Sequence, residues 1–100
     1  MEHAAALQNF LVQAQAMLDT YNQSHGFPRK VLDVDPGRRY TKVVVSNESR
    51  SQRSVYCFID KNGDVLKPAS WSAPAKHARG NIHDSNPIAA CGPYGIAYLR

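Results

Sequence analysis

Apolar residues recur at Leu7, Phe10, Leu11, Ala14, Leu18 and Tyr21. That i, i+3, i+4, i+7 spacing lines one face of an α-helix. Gln8, Gln13, Gln15 and Asp19 fall on the other face, and no Gly or Pro interrupts the run. The pattern predicts a helix over residues 3–23, rich in the good helix formers Ala, Gln and Leu. Ser24-His25-Gly26 supplies its stop, because Gly26 can take the left-handed position and Pro28 cannot continue the turn. The helical region therefore ends at residue 25.

Beyond residue 29 the period changes to that of short strands. Residues 30–34, 40–46, 54–60 and 65–67 predict four of them, the second marked by the β-branched run Val43-Val44-Val45. Asp35-Pro36-Gly37 marks a turn. Val55, Cys57 and Ile59 alternate with Tyr56 and Phe58, so both faces of the third strand are expected to be covered. Asp60-Lys61-Asn62-Gly63-Asp64 predicts a hairpin with Gly63 left-handed. It is no EF-hand: the sixth position of such a loop, a Gly there, is Val65 here, and strands flank the turn. Residues 68–94 hold four prolines without long periodicity, a span often given to function. Ser72, Pro74 and Gly80 fit the N-cap, first turn and end of a one- or two-turn helix within it. Gly95 to Leu99 alternates like a closing strand. The whole predicts one α+β domain over 1–100, an N-terminal helix packed on an antiparallel sheet.

A chain of 100 residues buries only roughly 60–65% of its unfolded surface, so association with further copies is a natural remedy. Charge divides unevenly. Residues 1–28 carry Glu2 and Asp19 and no Lys or Arg, whereas residues 29–100 carry all twelve basic residues against six acids. A basic sheet suits an anionic partner such as nucleic acid. The first residues lack the basic and apolar regions of a signal peptide. No segment approaches the ~18 apolar residues of a membrane span. A cytoplasmic protein with reduced thiols, and no membrane partner, is expected.

Lys67 to Asp84 concentrates chemistry: the single Trp, two of the four His, and the basic residues Lys67, Lys76 and Arg79. Cations bind phosphate, aromatic faces stack on unpaired bases, and Asn pairs with base edges. Lys76, His77, Arg79 and Asn81 are the candidate nucleic-acid-binding residues here. Arg50 and Arg53, in the polar loop 46–54, extend the basic surface. A lone Trp in a small domain is first a core anchor, so Trp71 is read as core before stacking platform. Cys57 reads as a small core residue. His77, His83 and Asp84 match no metal-binding or helix-face spacing. No catalytic residue, metal or cofactor is expected, and the chain reads as non-catalytic.

Lys67-Pro68-Ala69-Ser70-Trp71 and Ala73 to Ile82, preceded by Tyr40 to Val44 and Val55 to Asp60, resemble a family of small marine phage proteins of cyanophage type. That family is similar to Sm-like proteins in architecture. The resemblance implies a helix stacked on a strongly bent five-stranded antiparallel sheet, an SH3-like open barrel, with subunits joined edge to edge in a ring. It implies a homo-oligomer of about five to seven copies, binding single-stranded RNA in the cytoplasm of an infected host cell. Arg79-Gly80-Asn81-Ile82 is similar to the second Sm motif, whose Arg helps hold a base. Asp60 and Asn62 loosely match the first. The alternative is a phage-encoded interaction factor acting on a host protein.

Overall fold

The computed structural model describes residues 3–93, 95 and 96. Helix α1 (His3–Ser24) is followed by strands β1 (Lys30–Pro36), β2 (Tyr40–Asn47), β3 (Arg53–Asp60), β4 (Asp64–Pro68) and β5 (Pro74–Asn81). These five strands form an antiparallel meander in chain order. The sheet is not closed into a barrel. Cys91–Gly92 (β6) and Gly95–Ile96 (β7) form a separate two-stranded ladder.

The helix ends as its sequence dictates. Gly26 adopts φ 70°, Phe27 N–H donates to Asn22 O at 2.8 Å and Gly26 N–H to Gln23 O at 3.4 Å. These are the two bonds of a Schellman cap. The buried stripe runs Ala6, Phe10, Ala14, Leu18, Asn22, a strict i+4 ridge. The predicted residues Leu7 and Leu11 sit on its shoulder, partly buried. Small residues at 6 and 14 let the helix approach the sheet closely, and Phe10 and Leu18 fill the space between.

The side chain of Gln15, expected on the solvent face, instead joins the sheet. Its Nε2 donates to Lys30 O at 2.8 Å and its Oε1 accepts from Leu32 N–H at 2.9 Å. One amide thus stands in for a neighbouring strand along the first half of the β1 edge, satisfying backbone groups that edge strands leave open. Gln15→Ala should lower stability by about 1–2 kcal/mol, read as a lower urea midpoint. An unchanged midpoint would mean that water replaces the amide at no cost.

A β-bulge sorts the two faces of the sheet. Val43 pairs with Cys57 and Val44 with Val55, leaving Tyr56 as the extra residue. Tyr56 and Cys57 consequently both join the helix-side core with Val43, Ile59, Val65, Ile82 and Ile96. Val55 lies opposite Val44, on the face away from α1. The strict alternation expected for the third strand therefore breaks at Tyr56, although both faces are covered as predicted. Val44, Phe58 and Leu66 are buried outside the helix-side cluster.

The hairpin at 60–64 forms as expected. Gly63 has φ 86°, and Asp60 Oδ1 accepts from the N–H groups of Asn62 and Asp64, each at 2.9 Å. A Cβ at Gly63 would come within 2.8 Å of the His83 ring. Residues 74–81 are strand, not the short helix that Ser72, Pro74 and Gly80 suggested. Ala69 N–H and Ser70 N–H both donate to Ala73 O, closing a hairpin that delivers Pro74–Asn81 to the open edge of β4. There the backbone of Val65 and Leu66 needs a partner, and that tertiary demand outweighs a local capping pattern. The expected closing strand over 95–99 is seen only at Gly95 and Ile96; its remainder lies outside the described residues.

Candidate nucleic-acid interface

The β4–β5 loop carries Trp71, and the ring is not a core anchor: 47% of the residue's surface is exposed. Lys42 Nζ lies 4.4 Å from its centroid and Arg53 Cζ 5.7 Å. Lys42 pairs with Phe58 and Arg53 with Ser46, so both cations leave the sheet on the face away from α1. Each cation–π contact contributes about 0.5–1 kcal/mol at an exposed site. Together they hold the indole beside two positive charges, leaving nearly half of its residue surface open. Stacking surface next to cations is the combination that single-stranded nucleic acid requires.

The six predicted binding residues divide. Arg53 joins Trp71. Lys76 and His77 are exposed on β5, the outer strand of the sheet. Arg79 falls at a register shift between the Val65–Gly80 and Leu66–Ala78 pairs, and its Nη1 donates back to His77 O at 2.7 Å. Arg50 serves the fold: it takes φ 58°, pairs with Asp33 at 3.2 Å and donates to Glu48 O. Asn81 is likewise committed. Its Nδ2 donates to Asn62 O and Asp64 Oδ1, and its Oδ1 accepts from His83 N–H at 2.8 Å. A side chain that clasps two turns has little capacity left for a base edge. Lys42 was missed, although its place in Tyr40-Thr41-Lys42-Val43, opposite in phase to the buried Val43, is the signal that marks an outward cation.

The thiols are poorly set for nucleophilic work. Burial pushes the Cys57 thiol well up and raises that of Cys91 to about 11, against which a hydrogen bond with Tyr56 acts only in part. Burial also raises the Tyr56 phenol, whose hydroxyl donates to Gly92 O at 2.7 Å. The buried Cys57 and the partly buried Cys91, both held neutral, lack the thiolate character that reactivity needs. Among the described residues no three His, Cys, Asp or Glu side chains are grouped to share a metal ion. No described helix is long and apolar enough to cross a membrane.

Residues 2–92 match the model of a family of unknown function, DUF7717. The chain belongs to this family. The DUF7717 match runs from α1 through β6 and takes in the Trp71 loop, Lys42 and Arg53. No curated protein and no solved structure matches the chain.

Proposed function

We propose that this protein is a non-catalytic binder of single-stranded nucleic acid, with RNA as the ligand, built on an Sm-like bent sheet and acting as a homo-oligomer. The observation that carries the reading is Trp71, half exposed between Lys42 and Arg53. A base stacks on the open ring while the two cations neutralise adjoining phosphates. Lys76, exposed on β5 and in phase with Ala78 opposite Leu66, widens the basic surface on that face. The similarity of residues 67–82 to cyanophage-type proteins supports action in the cytoplasm of an infected cell.

Ring assembly is supported by the charge of the two sheet edges. On β1 Asp33 is taken by Arg50 and Asp35 is the remaining acid, whereas β5 carries Lys76, His77 and Arg79. Because Gln15 occupies the outer backbone at Lys30 and Leu32, head-to-tail pairing is left the stretch from Val34, which is 41% exposed. Opposite charges would set that register.

The test is fluorescence anisotropy with a labelled U-rich RNA at low and physiological salt. Binding should weaken with salt, log K falling by about 0.7 per log unit of salt for each phosphate neutralised. No binding at low salt would overturn the reading. It would favour the second one, a protein partner docking an acidic extended segment on the basic outer edge of β5.

A further inference from the structure

The face that carries Trp71 continues along β2 to a second aromatic ring. Tyr40 stands two residues from Lys42, so its side chain leaves the same face of the sheet. It packs edge-on against Phe58 with centroids 6.0 Å apart. The Arg39 guanidinium lies 5.7 Å from its ring centroid. Tyr40 lines a cleft of about 240 Å³ together with Arg39, Asp60, Lys61 and Asn62. A neighbouring hollow of about 220 Å³ also borders Tyr40 and Lys61 and adds Arg38.

The cleft is built by the fold. Tyr40 and Asp60 are partners across β2 and β3, which brings the β1–β2 and β3–β4 turns to the same end of the sheet. Gly37 N–H donates to Tyr40 O at 2.9 Å and Gly63 N–H to Asp60 O at 3.0 Å, fixing both turns. They present Arg38, Arg39 and Lys61, and none of the three pairs with a carboxylate among the described residues. The one carboxylate lining the cleft, Asp60, already accepts two backbone N–H groups through Oδ1. Two cations, Arg39 and Lys61, against the single carboxylate of Asp60 leave the cleft net positive, which suits a phosphate joined to a base.

We propose that this cleft is a second nucleotide position on the same strand, with the base against Tyr40 and its phosphate held by Arg39 and Lys61. The inference rests on the single-strand reading and extends it into a path. Arg53 lies opposite Ser46, six residues from Tyr40, so the track from Arg53 past Trp71 and Lys42 to Tyr40 follows about 20 Å of β2. That length takes several nucleotides, in keeping with the ~4–16 that a small β domain of the OB type covers. Basic residues mark the track along its length, Arg53, Lys42, Arg39 and Lys61, with Asp60 the one acid lining the cleft at its end.

The decisive experiment compares the wild type with the Arg39→Ala/Lys61→Ala double variant, titrating a labelled U10 and a labelled U3 RNA over a series of salt concentrations. Both residues are exposed on turns, so the double variant should melt as the wild type does. Its log K against log salt for U10 should be shallower by about 1.4, two phosphate contacts at ~0.7 each. It should also lose most of the affinity that the wild type gains on going from U3 to U10. If the wild type binds and the double variant reproduces its slope and its length dependence, the cleft is overturned while the Trp71 platform stands. If the wild type binds neither RNA, the single-strand reading falls and the cleft falls with it.

Discussion

Replacing Phe10 by alanine should lower the stability of the folded chain by about 3–5 kcal/mol. Phe10 is fully buried. It lies at the middle of the i+4 ridge through which α1 meets the sheet, within the cluster formed by Val43, Tyr56, Cys57 and Ile59. Its ridge neighbours Ala6 and Ala14 are too small to close over the space a lost ring would leave. The transfer and cavity costs should therefore both be felt in full. A small domain has only about 5–15 kcal/mol of net stability, so this one change removes a large share of it. With about 4–8 °C of melting temperature per kcal/mol for a domain of this size, the thermal midpoint should drop by tens of degrees. Urea denaturation followed by far-ultraviolet circular dichroism measures the loss. A change below 1 kcal/mol would show that α1 is not docked through this residue.

The helix and the first four strands were legible in the sequence because their signals are local. The Leu7–Tyr21 spacing, the Gly26 cap and the Gly63 turn each state their geometry within a few residues. Three features were not legible, each for a reason that lies between elements. The run Pro-Ala-Lys-His-Ala-Arg-Gly-Asn has no apolar alternation, so nothing in it announces β5. It is a strand because β4 has backbone groups to satisfy. The side chain of Gln15 looks like one more solvated glutamine until β1 is brought beside α1. The bulge at Tyr56 breaks the inward-outward phase of β3, and only the register with β2 reveals it.

The candidate site shows the same division. Composition points to the basic half of the chain, but it does not tell cations that maintain the fold from cations that face solvent. Arg50 and Asn81 have the residue types of a nucleic-acid site, yet both are held by backbone and carboxylate partners. Lys42 lies in a strand whose neighbours are mostly apolar, which hides it in the sequence, yet it lies nearer the Trp71 ring than Arg53 does. For Trp71 the sequence predicts a core position, because large rings are usually buried. Here the β4–β5 hairpin is closed by Ala69, Ser70 and Ala73 through backbone bonds alone. The loop does not need the indole as an anchor, and the ring remains on the surface.

That placement makes Trp71→Ala the most informative substitution for function. Base stacking on an aromatic ring contributes about 1–3 kcal/mol, so affinity for a U-rich single strand should fall roughly 5- to 150-fold. Trp71→Phe, which keeps a smaller ring, should recover part of the loss. Lys42→Ala and Arg53→Ala act through charge: each should make the salt dependence shallower by about 0.7 while leaving Trp71 able to stack. The two effects are separable because one follows the ring at fixed salt and the other follows the slope. Trp71 is the chain's only tryptophan, so its fluorescence reports contact at this position without a label. Saturating RNA should quench it, with a midpoint that agrees with the anisotropy titration. Should Trp71→Ala bind with wild-type affinity, or the indole emission stay unchanged in the bound complex, the bases lie elsewhere and the platform is not the site.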